Sequence, residues 1–233
     1  ALTQRNALLK LLNERGGDVT QLDYWDEQLA ATGSQLIQAR IRAVQEIERP
    51  AARLHADLSH GEEILRLSYQ PAYDPLPRPN GQFALPMDAP ADRMGISIEQ
   101  IRQGFAEALA SLRQEEIARV FTTIGPHRDE LRFLVNGVDL GIYGSRGQVR
   151  TAILALKLAE VAWMKAKTSH WPVLLLDEVL AELDVQRRVD LLARLADCQQ
   201  SLLTTTDLNL FTPTFIQKAT LWRVQEGRIE TGL

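Results

Sequence analysis

The single cysteine, Cys198, has no partner for an internal disulfide and cannot build a zinc site. That scarcity fits a reducing, cytoplasmic setting. Long apolar runs are missing as well. None reaches the ~18 residues that a membrane-spanning helix requires, and no basic-then-apolar leader opens the sequence. No membrane partner is expected. Charge of one sign is also scarce, since the net charge is only −4. Nothing in that total marks a nucleic-acid binder, although residues 113–170 carry a small basic surplus that reads first as a solvated face. What is present is an ordinary globular mixture, 45% hydrophobic and 24% charged. It excludes a mostly disordered chain. The 233 residues make one large domain or two small ones.

The sequence opens on Ala1 and reads at once as a helix in progress, with Leu2, Leu8, Leu9 and Leu12 spaced by polar residues until Gly16-Gly17. Such an opening suggests a fragment or a processed product. Asp18 or Thr20 is placed to cap a second, long helix. In it Leu22, Trp25, Leu29, Thr32, Leu36, Ala39, Ala43 and Ile47 recur at steps of three and four, a seam of the kind packed helices share. Pro50 should kink or break it. Residues 1–60 then form a hairpin packed on itself or an arm that meets a partner or DNA.

Ile64 to Gln70 alternates as a strand, and six of the ten prolines follow between 71 and 90, marking a loop. Ser97 and Gln100 form a capping box for a helix to about Arg119. From there the rhythm changes. Val120–Ile124 reads as a strand, and Leu131–Val135 and Val138–Tyr143 flank the turn signal Asn136-Gly137. A helix follows from Gly147 to about Lys167, then a buried-type strand at 173–176, a helix at 185–196, a strand at 201–205 and a hairpin around Glu226-Gly227. This alternation indicates an α/β layer with parallel strands.

Two stretches carry chemistry. Leu174-Leu175-Leu176-Asp177-Glu178 puts two carboxylates at the C-terminal tip of a strand, the edge where open α/β sheets place ligands. An Asp there can hold Mg²⁺, and a Glu beside it can orient or deprotonate a water. Acidic pairs after strands also serve as plain helix caps. Ser145-Arg146-Gly147-Gln148 opens the long helix, where a hydroxyl, a glycine and free backbone amides suit an anion. The alternative is an ordinary cap by Ser145.

In combination these motifs resemble ABC-type ATPases. Ser-x-Gly-Gln, a helix, a strand ending Asp-Glu and then Ala181-Glu182-Leu183-Asp184 follow the order of signature motif, Walker B and D-loop. Thr204-Thr205-Thr206-Asp207 looks like the switch segment, with Thr206 where transporters usually carry His. Gly125-Pro126-His127-Arg128-Asp129, Ser145 to Arg150, Leu156-Lys157-Leu158-Ala159-Glu160 and Gln4-Arg5-Asn6-Ala7-Leu8-Leu9-Lys10 resemble the RecF family of bacterial recombination mediators. No Gly-x-x-x-x-Gly-Lys-Ser/Thr phosphate loop occurs in this chain. In that family the loop lies before the arm, so the chain is expected to be the C-terminal two-thirds of such a protein, without the phosphate loop and the first strands.

The resemblance implies an α/β fold, a partial ABC-ATPase head with a P-loop NTPase-like sheet and a helical arm subdomain. The arm would cover 1–119, with the proline-rich loop at 71–90, and the head 120–233. It implies ATP and Mg²⁺ as cofactors, Asp177 at the metal and Glu178 as catalytic base. Ser145, Arg146, Gly147, Gln148, Asp184 and Thr206 would form the nucleotide-binding set, with Ser145 to Gln148 reaching a γ-phosphate held by a second subunit. It further implies an ATP-dependent homodimer, single- and double-stranded DNA and a RecR-type protein as partners, and recombinase loading at gaps in repair, replication restart and the SOS response. His127 and Arg128 could brace the signature lobe or touch nucleotide or DNA. The rival reading is a scaffold with a degenerate head; a relative with a long coiled coil is disfavoured because the arm is short. His55 and His60 lack a third metal ligand, and Trp163, Trp171 and Trp222 read as core or edge packing. For this chain alone no hydrolysis is expected, and an uncovered apolar face is expected beside Leu174–Leu176.

Overall fold

The computed structural model describes residues 1–76, 92–196 and 198–231. Most of the expected proline-rich loop therefore lies outside the described residues. The chain divides into two compact units, Ala1–Arg49 with Arg66–Gly141, and Pro50–Leu65 with Ile142–Leu233. Residues 120–141 thus fall with the helices that precede them, and 50–65 with the segments that follow.

The first unit is built on helices α1 (Leu2–Arg15), α2 (Leu22–Leu58, as far as Arg49) and α3 (Ile98–Arg119). Asp18 caps a single 3-10 turn, Val19–Gln21, ahead of α2. α3 packs on both other helices. Ala30, Ile37 and Ile41 meet Ile101, Phe105 and Leu109, and Leu9, Leu12 and Leu22 close on Ile117. The buried line of α2 is not the expected seam. It runs through Leu22, Asp26, Ala30, Gly33, Ser34, Ile37 and Ile41, whereas Leu36 is 45% exposed and Thr32 and Ala39 face solvent. Apolar spacing alone picked out Leu29 and Leu36. It could not register that Asp26 is drawn inward by arginines, or that Gly33 is the contact at which a Cβ would come within 2.7 Å of the Phe105 ring. Nor does Pro50 break α2, which is continuous to Leu58.

The arginine that draws Asp26 inward is Arg5. Its side chain is wholly buried, with Nε donating to Asp26 Oδ1 at 2.6 Å and Nη1 to Glu116 Oε2 and to Thr122 Oγ1. Arg113 holds the other oxygen of Asp26 at 2.7 Å. Two cations and two anions are thereby balanced out of water. Removing one member of such a set leaves a bare charge and costs about 3–5 kcal/mol. The same network explains why Val120–Ile124 is not a strand. Val120 (φ 59°) is the left-handed end of α3. Thr122 donates its amide and hydroxyl to Asn6 Oδ1, and Thr123 donates both of its own to Glu116 Oε1. These backbone groups are taken up by side chains, so no ladder forms.

The sheet of this part has the order β1 (Leu65–Gln70), β2 (Glu130–Val135), β3 (Val138–Asp139). Asn136 (φ 50°) and Gly137 (φ 81°) both take the left-handed conformation that a two-residue hairpin turn needs, and Val135 faces Val138. The return strand is shorter than expected. Asp139 Oδ1 accepts the Gly141 amide at 2.8 Å, and a helical turn, α4 (Leu140–Tyr143), replaces the rest of the strand.

In the second unit, α5 (Arg146–Thr168) and α6 (Val185–Leu195) accompany the parallel pair β4 (Leu174–Leu176) and β5 (Ser201–Leu203), in register Leu174↔Ser201 to Leu176↔Leu203. Parallel pairing requires a crossover, and α6 supplies it. Leu154, Ala155, Leu158, Leu174, Leu176, Leu180, Leu183, Leu191, Leu192 and Leu195 form the core. Among the described residues only one face of the pair is covered: Leu174 and Leu176 are 7% and 8% exposed, but Leu175 is 70% and Val173 54%. The short helix α7 (Pro213–Ile216) and the hairpin of β6 (Trp222–Gln225) and β7 (Arg228–Thr231) complete the described chain.

Candidate functional site

The residues expected at the metal, the nucleotide and the catalytic base all belong to the second unit. Asp177 and Glu178 leave the C-terminal end of β4, where Thr204 at the end of β5 ties them down. The Thr204 amide donates to Leu176 O at 3.0 Å and extends the ladder by one bond. Its hydroxyl donates to Asp177 Oδ1 and accepts the Glu178 amide at 3.0 Å. Glu178 takes the left-handed conformation (φ 52°) there, uncommon for a residue with a Cβ, and the turn lifts the chain off the strand into the short helix Val179–Glu182. One hydroxyl thus fixes the backbone that carries two carboxylates.

Ser145 opens α5 with a full capping box. Ser145 Oγ accepts the Gln148 amide at 3.2 Å, and Gln148 Oε1 accepts the Ser145 amide at 3.0 Å. The serine hydroxyl keeps its own proton to donate. By helix geometry the Arg146 and Gly147 amides have no carbonyl four residues back. A Cβ on Gly147 would meet nothing nearer than Ser145 Oγ at 4.0 Å, so packing within the chain does not demand glycine there. Arg146 is exposed.

One turn further along α5, Arg150 Nη2 pairs with Glu182 Oε1 at 2.7 Å. Asp184, two residues beyond Glu182, caps α6 by accepting the Arg187 amide at 3.0 Å, and that bond holds its carboxyl below the usual carboxylate pKa. The expected signature and D-loop segments are therefore joined by an ion pair that the spacing of residues did not reveal. Thr206 is exposed in the loop after β5, where Thr205 and Asp207 bond to each other and Asp207 caps the following turn.

The donor set fits Mg²⁺ only in a shared site. Among the described residues no group of three or more His, Cys, Asp or Glu side chains could hold a metal. Mg²⁺ ordinarily needs one or two carboxylates with phosphates and waters completing six positions, and Asp177 with Glu178 can supply that part.

His127 and Arg128 lie in the first unit. The His127 ring meets Thr122 O at 3.2 Å, and the Arg128 guanidinium sits 4.9 Å from the Phe121 ring centre. Both brace the loop at 121–128. Asp129, the next residue, was not singled out by the sequence, although it is the most heavily bonded residue of its motif. Its side chain is only 4% exposed and accepts from Tyr69 OH at 2.6 Å, Arg40 Nη1 at 2.8 Å and the Ala72 amide at 3.0 Å. Of the tryptophans, Trp171 lies 3.6 Å beneath Lys165 Nζ and Trp222 is 57% exposed on the terminal hairpin.

No family model matches the chain. Individual proteins do. It is 39% identical over 236 residues to a Chloroflexus aurantiacus protein and 42% identical over 237 residues to one from Chloroflexus aggregans, in both over 99% of this chain. An Enterococcus faecalis protein is 36% identical over 98% of the chain. Each of the three is called DNA replication and repair protein RecF. The chain spans about half the length of these curated relatives, 56–57%. Among solved structures, the recombination mediator protein RecF-ATP of the RecFOR pathway superposes with a TM-score of 0.77 at 27% identity, over 100% of this chain and 56% of that one. RecF-ATPrS gives 0.76 over 99%. The resemblance to RecF thus runs the length of the chain, and the fold is that of a partial ABC-type ATPase with a helical arm. Among the described residues no helix is long and apolar enough to cross a membrane.

Proposed function

We propose, on a resemblance to RecF that extends from end to end, that this chain is the C-terminal part of an ATP-dependent DNA-binding protein of replication and recombinational repair. The observation that carries the reading is the joint geometry of the second unit. Two carboxylates are clipped to the end of a parallel strand pair by Thr204, and a capped helix start is tied by Arg150 to the segment that follows them. A plain structural cap at Asp177-Glu178 would not require both strands to converge on it.

In this reading Asp177 helps hold Mg²⁺, and Glu178 accepts a proton from the attacking water. Ser145 Oγ and the amides of Arg146 and Gly147 face a phosphate, the charge for which a helix start is suited. Arg146 adds a cation, Gln148 keeps the cap in shape, and Thr206 stands in the switch position. By the resemblance to ABC-type ATPases, the triphosphate that Ser145 meets is carried by a second subunit, and Asp184 crosses the same junction. Bound Mg²⁺ would supply neutralisation of phosphate charge. DNA, a RecR-type protein and loading of recombinase at gaps follow from the resemblance and enter at the level of the complete protein. The uncovered face at Val173, Leu175 and Leu202 is where the remaining half of the relatives' length would pack.

Two variants of the complete protein test this. Ser145→Arg places a bulky cation where a hydroxyl should meet phosphate. It is expected to leave monomer ATP affinity within about twofold and to abolish ATP-driven dimerisation in sedimentation, since only the bridging contact is lost. Glu178→Gln is expected to bind ATP normally, accumulate dimers and lose hydrolysis by about 100-fold or more. Dimerisation of Ser145→Arg with ATP would favour the scaffold reading, and near-normal hydrolysis by Glu178→Gln would remove it as the base.

A further inference from the structure

Gln148 has two jobs at the start of α5, and only one is accounted for by the cap. Its Oε1 accepts the Ser145 amide at 3.0 Å. Its Nε2 points the other way and donates to Glu63 Oε1 at 2.8 Å. Glu63 comes from the short connection after α2, 85 residues earlier, in the same compact unit. A side-chain amide can flip and exchange its two ends. Here a flip would set the NH₂ against the Ser145 amide and the carbonyl against a carboxylate, two repulsive contacts in place of two bonds. Glu63 and the Ser145 amide together therefore fix which way Gln148 points, and Gln148 Oε1 in turn holds the Ser145 amide in the cap.

What stands behind Glu63 limits its movement. Its Oε2 faces His55 Nε2 at 3.5 Å, and the carboxylate is largely enclosed, with 18% of its side chain exposed. His55 itself is fully buried in the last turn of α2. Arg187 also reaches the end of α2. Its Nε donates to Leu58 O at 2.9 Å, and its backbone amide is the one that Asp184 accepts. The end of α2 thus touches the D-loop cap through Arg187, and the connection just after it touches the signature cap through Glu63.

We infer that Glu63 is a positioning residue for the signature motif, fixing the Gln148 side chain so that Ser145 and the first amides of α5 are preorganised for phosphate. It does not touch the phosphate. The inference rests on the proposed role of Ser145, so the test must separate the two. In the complete protein, the ATP concentration for half-dimerisation and the kcat and KM of hydrolysis are measured for wild type, Glu63→Ala, Glu63→Gln, Gln148→Ala and the Glu63→Ala/Gln148→Ala pair, with thermal unfolding as the folding control. Glu63→Ala is expected to raise the half-dimerisation concentration by about tenfold, the scale of one charge-assisted hydrogen bond. It should lower kcat while leaving KM for ATP unchanged. Glu63→Gln keeps an oxygen facing Gln148 and should recover most of the loss. With Gln148 already truncated, Glu63→Ala should add nothing, because the path runs through that side chain. Additive losses overturn the inference, as does a Glu63→Ala protein that is folded and dimerises like wild type, or unfolding of both Glu63 variants. A wild type that ignores ATP, or a Ser145→Arg protein that still dimerises, defeats the underlying reading instead.

Discussion

At the residue scale, the second unit relies on a few polar side chains that each serve two elements. Thr204 joins Asp177 to the Glu178 amide, Gln148 joins Ser145 to Glu63, and Arg187 joins Leu58 to Asp184. His55 stands behind Glu63, with Nε2 3.5 Å from its Oε2. Burial pushes its pKa below the ordinary imidazole value, while the Glu63 carboxylate works in the opposite direction. The folded state then takes up a proton less readily than the unfolded state does. His55 costs no stability above pH ~6.5, and stability declines as pH falls from there toward the lowered folded value, by at most about 1.4 kcal/mol per pH unit. His55→Leu removes the titration. Chemical unfolding at pH 7.5, 6.5 and 5.5 should give a shallower acid loss in that variant, whatever its stability at pH 7.5. Equal slopes would show that His55 does not titrate across folding.

At the scale of elements, caps decide more boundaries than hydrophobic spacing does. α3 and α5 both begin at a serine with glutamine three residues on, and both boxes form completely. Ser97 Oγ accepts the Gln100 amide at 3.2 Å, and Gln100 Oε1 accepts the Ser97 amide at 2.9 Å. Ser97→Ala should therefore cost about 1 kcal/mol in denaturant unfolding without changing the face that α3 presents to Ala30, Ile37 and Ile41. A change below a few tenths would mean that water replaces the cap at no loss. The elements that departed from expectation are those where a side chain claimed the backbone. Asp139 turned half a strand into α4, and Asn6 with Glu116 took the amides of Thr122 and Thr123. The unexpected burial line of α2 has the same origin, because Arg5 and Arg113 made Asp26 an interior residue.

At the scale of the whole molecule, the parallel pair is a sheet with one finished face. Leu175, Val173 and Leu202 are 70%, 54% and 39% exposed, beside a core that is closed on the other side. Neighbouring apolar exposure of this kind associates readily with other surfaces. The 233-residue chain on its own is expected to bind an apolar dye, to self-associate as its concentration rises and to leave ATP unhydrolysed. ATP titration should find no micromolar site, which would need about −8 kcal/mol, because no phosphate loop is present to surround the triphosphate. Micromolar binding would place a phosphate site in this chain that neither motif nor geometry identifies.

The sequence by itself determined whatever is encoded within one element or one turn. The helix at Leu2–Arg15, the two capping boxes, the Asn136-Gly137 turn and the Asp-Glu pair after a buried strand are all set by neighbours within a few residues, so residue type and spacing suffice. The order of motifs carried the resemblance for the same reason. Only the tertiary structure decided which polar groups are inside. Arg5 with Glu116, Asp129 with Tyr69 and Arg40, Arg150 with Glu182, and Gln148 with Glu63 are pairings between distant parts of the chain. A charged side chain carries no local mark of burial. It enters the interior only when folding brings a counter-charge and hydrogen-bond partners to it, since burial without them costs more than the interior returns. The lines of buried residues, the contact of Glu63 with the cap of α5 and the uncovered face of β4 and β5 all follow from those meetings, and none of them is written in any single window of the sequence.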